Sequence, residues 1–315
     1  MLSRTGTLSS LLLACALALP AQVKLTRGQD RVAIEIDGRP FAVFIVGGSG
    51  VNRPYLYPLR SASGKAVTRS VPPGQLPGES TDHPHQAGLF FGPGDVNGFN
   101  YWANLPSPPD PKNGRIVLKK LVSVKSGGPS GVVEALFDWL SPDGKPILAE
   151  SRKTTFYADP KLRTVDVDLD LTAVEKVVFG DTKEGTFAMR LATSLEETHS
   201  GKVVNAQGAA GEKNVWGKRS EWVDYSGVVD GEPLGVAMMD HPGNPRHPTY
   251  WHARGYGLLA ANPFGLHDFL NDKTQDGSMT VERGNHLRFR YRVIVHPGDH
   301  QAARIAELYR KYAAE

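Results

Sequence analysis

The chain has 315 residues and a formal net charge of +3, from 36 basic and 33 acidic side chains. No basic run concentrates that charge, which argues against nucleic acid as a partner. The only cysteine, Cys15, lies in the first twenty residues, so a chain cleaved after it has no disulfide, thiolate metal site or cysteine nucleophile.

The first 21 residues have the three-part pattern of a secretory signal peptide. Arg4 precedes an apolar run over residues 8–19, and small residues follow up to Ala21. The run is about twelve residues, shorter than the ~20 that cross a bilayer as a helix, so we expect cleavage and no transmembrane anchor. Cleavage as a lipoprotein at Cys15 is the less favoured alternative, because the apolar run continues past it. The sequence predicts an exported protein, periplasmic or secreted, with residues 22–315 as the mature part.

The mature part predicts an antiparallel all-β protein, because short apolar runs alternate with polar residues between Gly, Pro, Asp and Asn. The clearest strand is 162–173, where four aliphatic side chains alternate with three aspartates. Hairpins are predicted for 32–36 with 41–46 and for 132–140 with 147–157. Further strands are predicted at 116–124, 186–194, 234–239, 257–260 and 287–296.

One helix is predicted, over residues 300–314, with Asp299 as its N-cap and Ile305, Leu308 and Tyr312 spaced to dock on a sheet. No repeat or low-complexity linker divides the chain. We therefore expect one large antiparallel β-sandwich domain over residues 22–315 with a C-terminal helix.

Three long segments interrupt the strand pattern, at 47–58, 71–104 and 240–271. They are rich in Gly and Pro and crowded with His, Asp, Arg and aromatic residues. Long loops on a rigid scaffold are where function usually lies, so candidate site residues are sought there.

The densest candidate cluster surrounds two histidines. His83 and His85 are one residue apart and project from the same side of an extended segment, so they could share a substrate or a divalent metal ion. A metal would need at least a third ligand, which the spacing does not identify, and no cofactor is assigned. The alternative is that one histidine is a hydrogen-bonded structural residue. Asp82, Asp95 and Asn97 accompany the pair as candidate substrate contacts.

A second cluster runs from Gly180 to Gly185 and leads into a strand. Glu184 could act as a general base, with Lys183 or Arg190 adjusting its pKa or holding an anionic group. The alternative interpretation is an ordinary charged turn that precedes a strand.

A third cluster contains His241, Trp251, His252 and Arg254. Histidines titrate near neutral pH and serve as acid, base or ligand, and tryptophan offers a flat face for a sugar ring. The alternative for the tryptophan is burial in the sandwich core.

These motifs resemble a bacterial family of unknown function that carries the label "methane oxygenase PmoA-like", over nearly the whole mature chain. In this chain, Gln86 stands where that family often has a third histidine. The resemblance is carried by Arg53-Pro54-Tyr55-Leu56-Tyr57-Pro58, Asp82-His83-Pro84-His85-Gln86-Ala87-Gly88, Gly94-Asp95-Val96-Asn97-Gly98, Gly180-Asp181-Thr182-Lys183-Glu184-Gly185, Trp222-Val223-Asp224-Tyr225-Ser226-Gly227, Asp240-His241-Pro242-Gly243-Asn244-Pro245, Trp251-His252-Ala253-Arg254 and Ala261-Asn262-Pro263-Phe264-Gly265.

The resemblance implies a large supersandwich similar to that of galactose mutarotase, in exported proteins of bacteria rich in glycan-degrading systems. It does not imply an oxygenase, because a membrane-bound oxygenase subunit needs spanning helices and this mature chain has no apolar run of ~18 residues. Fold-level similarity raises an expectation without identifying a reaction.

The favoured hypothesis is an extracytoplasmic enzyme that acts on a carbohydrate or glycoside as an epimerase, lyase or hydrolase. The alternatives are a non-catalytic sugar-binding protein and a metal-dependent enzyme that uses His83 and His85. The sequence indicates no oligomeric state. The catalytic candidates are His83, His85, Glu184, His241 and His252, and the substrate-binding candidates are Arg53, Asp82, Asp95, Asn97, Lys183, Arg190, Trp251, Arg254 and Asn262.

Overall fold

The computed structural model describes residues 22–104 and 110–315 and forms two large antiparallel sheets. The predicted signal peptide, residues 1–21, lies outside the described residues. Strands make up 45% of the structure and helices 7%, so the predicted all-β sandwich with a short C-terminal helix is confirmed.

The strands and helices are numbered in chain order. The strands are β1 (Val23–Arg27), β2 (Arg31–Ile36), β3 (Arg39–Ile45), β4 (Tyr55–Leu56), β5 (Leu89–Phe91), β6 (Arg115–Lys125), β7 (Ser130–Leu140), β8 (Pro146–Tyr157), β9 (Arg163–Ala173), β10 (Val177–Phe179), β11 (Phe187–Arg190), β12 (Lys202–Asn205), β13 (Trp222–Val229), β14 (Glu232–Asp240), β15 (Tyr250–Trp251), β16 (Leu258–Asn262), β17 (Met279–Val281) and β18 (His286–Pro297). The helices are α1 (Glu212–Val215), α2 (Leu266–Phe269) and α3 (Ile305–Tyr312).

The first sheet has the strand order β1-β2-β3-β4-β5-β11-β16-β15, and the second has the order β12-β13-β14-β18-β9-β8-β7-β6. Strands β10 and β17 form a separate two-stranded ribbon. In the middle of the first sheet, β5, β11 and β16 are only three to five residues long. At ~3.3 Å per residue, the loops at their two ends are therefore roughly 10–15 Å apart. This brings the segments 82–88, 180–186 and 254–257 close together.

The core lies between the two sheets, where aromatic rings of the first meet rings of the second. Phe91 contacts Trp139 and Phe289, with ring centroids 6.0 and 5.3 Å apart, and Phe187 stacks on Tyr291 at 4.4 Å. Because successive side chains of a strand point to opposite faces, the inward position of Phe187 places the side chains of its strand neighbours at 188 and 190 on the outer face. The outer face of the first sheet is the one that faces away from the second sheet.

The strongest strand pattern is found where the sequence predicts it. In β9, Val165, Leu169 and Leu171 are fully buried, while Asp168 and Asp170 on the other face are half-buried. The strands that fall outside the predicted set are β1, β4, β5, β10, β12, β13, β15 and β17. The strand predicted at 186–194 ends earlier, with β11, because the chain then turns into a 3-10 helix over Thr193–Leu195.

The C-terminal helix is present but starts later than predicted, at Ile305. Residue Arg304 has a left-handed backbone (φ 56°), which a continuous helix from 300 does not allow. Asp299 still acts as a cap, because its Oδ1 accepts the N–H groups of Gln301 and Ala302 at 3.0 and 2.9 Å. It caps a turn that precedes the helix. No helix in the part of the chain that the structure describes is long and apolar enough for a membrane span.

Candidate active site

The candidate site lies on the outer face of the first sheet, and we call it the outer-face site. Its floor is a cluster of buried apolar side chains separate from the main core: Tyr55, Ala87, Phe90, Trp102, Ala188, Leu258 and Ala260. The second sheet does not cover this floor. Residues of the segments 82–88, 182–185 and 254–256 lie around it and supply the polar groups.

The Asp82–His83 pair is the central feature of the site. His83 Nδ1 lies 2.6 Å from Asp82 Oδ2, and the ring of His83 stacks on Tyr256 at 4.8 Å with an interplanar angle of 7°. A carboxylate only accepts, so Nδ1 carries the hydrogen. The pair thus fixes the tautomer and leaves Nε2 as the proton acceptor. The side chain of His83 is 44% exposed, so a ligand can reach it.

Two buried arginines hold Asp82 in place. Its Oδ1 accepts Nη2 of Arg190 at 2.7 Å and Nη1 of Arg69 at 2.8 Å. Partial burial acts to raise the pKa of Asp82, but the hydrogen bonds from Arg190 and His83 and the charge of Arg190 outweigh it, so the pKa lies below its ordinary value. Asp82 is therefore ionised and rigid beside the imidazole.

Arg190 joins this pair to the sheet. It lies in β11, is fully buried, and also donates to Gln86 Oε1 at 2.9 Å and to Glu196 Oε1 at 3.3 Å. Gly88 then connects the histidine loop to β5 with a positive φ of 60°, and a Cβ there would sit 2.2 Å from the carbonyl oxygen of Leu56. The loop is thus fixed at both ends by contacts that tolerate little change.

His85 lies next to His83, with ring centroids 5.9 Å apart, and is 6.4 Å from Trp102. Burial, followed by the charges of Arg53 and other cations, lowers its pKa to about 4. The ring is therefore neutral at neutral pH. Arg53 is fully buried, stacks on Phe90, and donates Nη2 to the carbonyl oxygens of His85 and Trp102. Arg53 thus supports the backbone beneath the site rather than facing a ligand.

Glu184 is the acidic group of the site. Burial raises its pKa, although the charges of Lys183, His83 and Arg254 act to lower it. Within residues 22–104 and 110–315, no ion pair or hydrogen bond holds its carboxyl group. A carboxyl group with a raised pKa keeps its proton to higher pH and can donate it, which suits a general acid. A positive charge on His83 lowers the pKa of Glu184, so the two side chains lie within electrostatic reach of each other.

His252 and Asn262 hold the segment that carries Glu184. Nδ1 of His252 donates to the carbonyl oxygen of Lys183 at 2.8 Å, and Nδ2 of Asn262 donates to the carbonyl oxygens of Thr182 and Lys183 at 2.9 and 3.0 Å. His252 is 2% exposed, and burial lowers its pKa to about 4. Both residues therefore belong to the site as supports of the backbone.

Tyr256 completes the site and was not among the sequence candidates. Besides the stacked His83, its ring has the guanidinium groups of Arg190 and Arg254 at 4.7 and 5.6 Å. Arg254 also pairs with Glu212 at 2.9 Å. The available signal is the turn Gly255-Tyr256-Gly257, where an aromatic residue between two glycines has no strand or core role. Arg69 and Glu196 were also missed, and no motif marks them.

The structure places four other candidates outside this group. His241 lies at the second sheet, 5.1 Å from Tyr312 of α3, and its two ring nitrogens face Arg290 Nη1 and the N–H of Gly243. Burial and the charge of Arg290 lower its pKa, so it is no proton donor at neutral pH. Trp251 is in the main core and donates Nε1 to the carbonyl oxygen of Ser220.

Asp95 and Asn97 stabilise a turn. Asp95 Oδ1 accepts the N–H of Gly98 at 2.8 Å, and Asn97 Oδ1 accepts the N–H of Val178 at 2.7 Å. These contacts attach residues 95–98 to the ribbon strand β10. As for a metal, the described ranges 22–104 and 110–315 contain no group of three or more His, Cys, Asp or Glu side chains arranged to hold an ion.

A family model of unknown function, DUF6807, matches residues 31–310. The chain belongs to this family. The PmoA-like label of the sequence resemblance is not part of this family description. No functionally curated protein matches the sequence significantly.

Several solved structures are similar to this member of DUF6807. A galactose mutarotase-like protein from Clostridium acetobutylicum is 12% identical with a TM-score of 0.45, over 88% of this chain and 99% of that chain. Heparan sulfate lyase HepC from Pedobacter heparinus is 8% identical with a TM-score of 0.38, over 90% of this chain and 36% of that chain. The GH36 alpha-galactosidase AgaB from Geobacillus stearothermophilus is 8% identical with a TM-score of 0.39, over 88% of this chain and 41% of that chain. At TM-scores below 0.5, these similarities carry no argument about activity.

Proposed function

We propose that the chain is an exported enzyme that acts on a carbohydrate or glycoside by acid–base chemistry at the outer-face site. The observation that carries this proposal is the Asp82–His83 pair, with its open Nε2, within electrostatic reach of the half-buried Glu184, whose pKa is raised. Two titratable groups whose surroundings prepare one to accept a proton and the other to donate it are typical of acid–base catalysis.

In this reaction His83 is the base and Glu184 is the acid. Nε2 of His83 takes a proton from a substrate carbon, a hydroxyl group or a water molecule, and the ionised Asp82 stabilises the imidazolium that forms. Glu184 gives its proton to the oxygen of the leaving group or, when the sugar ring opens, to the ring oxygen. A lyase, a hydrolase and a mutarotase-type epimerase, which opens the sugar ring, all contain this pair of steps. His85 stays neutral and serves as a hydrogen-bonding group for the substrate.

The surroundings of these groups favour a sugar. The half-exposed ring of His83, which stacks on Tyr256, is a flat surface of the kind on which the CH faces of sugar rings stack, whereas Trp102 is buried beside His85. Arg69 and Arg190 are already paired with Asp82 and Glu196, so their charge is largely balanced within the protein. A neutral, hydroxyl-rich ring therefore fits this site.

The test compares His83→Asn and Glu184→Gln with the wild-type chain. We expect each variant to bind sugar as wild type does and to lose roughly 10²- to 10⁴-fold in turnover, because each removes one proton-transfer group. Turnover of aldoses, glycosides and polysaccharides is followed by NMR, and binding is measured by calorimetry. Wild-type turnover in both variants would refute the assigned roles. Sugar binding without any wild-type turnover would identify a non-catalytic binding protein instead.

The export part of the proposal rests on the signal-peptide pattern of residues 1–21. Expression in a Gram-negative host should give a processed chain whose first residue lies between 19 and 22, found outside the cytoplasm. N-terminal sequencing and cell fractionation measure both properties. A cytoplasmic chain that retains Met1 would contradict export without affecting the site.

A further inference from the structure

A second group of aromatic side chains lies beside the outer-face site, around Trp216. The ring of Trp216 is half-buried and meets Phe269 at 5.5 Å and His252 at 6.4 Å, both edge to face. Tyr250, also half-buried, stacks on Phe269 at 5.6 Å. We call Trp216, Tyr250 and Phe269 the aromatic patch.

The aromatic patch is connected to the acid of the site through the backbone that carries it. His252, which contacts Trp216, donates its Nδ1 hydrogen to the carbonyl oxygen of Lys183. Asp268, next to Phe269 in the chain, accepts the N–H of Lys183 at 3.1 Å. The patch therefore borders the backbone segment that carries Glu184.

A second chain of contacts joins the aromatic patch to the base. His83 stacks on Tyr256, which lies under the guanidinium of Arg254, and Arg254 pairs with Glu212 at the start of α1. Trp216 directly follows α1 as its C-cap. Contacts thus run from the aromatic patch to the backbone that carries Glu184, through His252, and to His83, through Arg254 and Tyr256.

We propose that the aromatic patch is a second sugar subsite, so that the substrate carries at least two linked rings with the reacting bond at Glu184. This inference rests on the proposed function. An acid that protonates a bridging oxygen must lie between the rings that the oxygen joins. The proposed function already places one ring at His83, and the aromatic patch provides a surface for the second.

The charges around the aromatic patch favour a neutral ring. Lys273 pairs with Asp268 and Arg254 with Glu212. Arg219, whose guanidinium lies 5.7 Å from the Tyr250 ring, donates to the carbonyl oxygens of Arg246, His247 and Pro248, so these cations are engaged within the protein. Within the residues that the structure describes, the indole N–H of Trp216 has no hydrogen-bond partner. The indole is therefore positioned by its ring contacts with Phe269 and His252.

The test measures binding without turnover, using the His83→Asn chain as the background. Pairs of one disaccharide and its monosaccharide are titrated by calorimetry: cellobiose with glucose, lactose with galactose, and chitobiose with N-acetylglucosamine. We expect at least one disaccharide to bind roughly five- to tenfold more tightly than its monosaccharide, the gain expected from one additional stacked face.

Trp216→Ala in this background should remove that gain and leave monosaccharide affinity within about twofold, while Trp216→Phe should keep most of it. Leu76→Ala is the control, because it removes an exposed apolar side chain (62% exposed) elsewhere on the surface. Thermal unfolding checks that each variant is folded. If Trp216→Ala does not fold, the comparison of Trp216→Phe with the His83→Asn background decides the test.

The outcomes separate the two proposals. Equal affinity for each disaccharide and its monosaccharide, or a gain that survives Trp216→Ala, overturns the subsite and leaves the proposed function intact. Absence of binding to every sugar overturns the proposed function and the subsite with it.

Discussion

The outer faces of the two sheets both carry aspartates, arginines and histidines, but the charges are arranged differently. On the second sheet, aspartates of β9 face basic side chains of β18 on the neighbouring strand. The distances are 2.6 Å for Asp166 with Arg292, 3.0 Å for Asp168 with Arg290, and 2.9 Å for Asp170 with His286. Each of these aspartates has a basic side chain beside it, and the cross-strand pairs stabilise the sheet.

On the first sheet, the ion pairs that the structure describes do not include the two proposed reactive groups, Nε2 of His83 and the carboxyl group of Glu184. Asp82 meets two arginines and a histidine, yet the histidine keeps an open Nε2, and Glu184 has no ion pair within the described residues. A high density of charged residues therefore does not identify a site. A site is identified by a titratable group that lies among other charged or buried groups and is not itself fully paired.

The largest expected effect is a loss of stability. It compares the removal of a buried arginine on the first sheet with the removal of a partly exposed arginine on the second. Arg190→Gln should lower the free energy of unfolding by about 3 kcal/mol, because Asp82 and the buried Glu196 lose their guanidinium partner. Arg290→Gln on the second sheet should cost about 0–1 kcal/mol, because that pair is partly exposed. Urea unfolding measures both values, and equal losses would erase the contrast.

The next effect concerns acid stability through His252. Its folded-state pKa of about 4 lies below the ordinary value of 6.5, so the unfolded chain binds a proton that the folded chain does not. Stability contributed by neutral His252 is complete above pH 6.5 and is lost as the pH falls towards 4. At ~1.4 kcal/mol per pH unit, this loss is at most about 3 kcal/mol.

His252→Asn keeps a donor for the carbonyl oxygen of Lys183 but does not titrate. Unfolding free energies at pH 7 and pH 4 should therefore differ less in this variant than in wild type. If the acid dependence of His252→Asn equals that of wild type, His252 takes up its proton as readily in the folded chain as in the unfolded chain.

A smaller effect, of opposite sign, is expected for Glu184. Its raised pKa means that the folded chain keeps a proton that the unfolded chain releases, so stability is complete below the ordinary carboxyl pKa and is lost as the pH rises through the folded-state value. Glu184→Gln should be more stable than wild type at pH 8 and no more stable at pH 4. Glu212→Gln, which breaks the pair with Arg254, should show no such gain. A gain in both variants, or in neither, would contradict the assignment.

The smallest effect is expected for His241→Asn. Its ring lies at the second sheet beside Arg290 and Tyr312, so turnover should stay within about threefold of wild type. The comparison is with His83→Asn, for which a loss of two or more orders of magnitude is expected. A loss of similar size in both variants would mean that the second sheet takes part in the reaction.

Local patterns were sufficient to predict most of the fold. The alternation of aliphatic residues and aspartates along β9 fixes its two faces before any partner strand is known. The same rule explains Trp251, which alternates with Tyr250 and His252 and so points into the core. The start of α3 was not predictable in this way, because it depends on the left-handed backbone of Arg304.

The candidate site depended more on long-range pairing. His83 and Glu184 lie 101 positions apart in the sequence, and they share one face only because β5 and β11 are neighbours in the sheet. His241 has similar composition around it but follows β14, which belongs to the other sheet. The sequence supplied the candidate groups, whereas strand order decided which of them meet.

The anchoring of Asp82 has a consequence for where the protein can work. Because the hydrogen bonds and charge of Arg190 hold the pKa of Asp82 below the ordinary value, the carboxylate remains ionised as the surroundings become mildly acidic. Its stabilising contribution is complete above the unfolded-state pKa and is lost only as the pH falls through the lower folded-state value. The geometry of His83 is therefore protected in acidic environments, where an unsupported aspartate would already begin to release its partner.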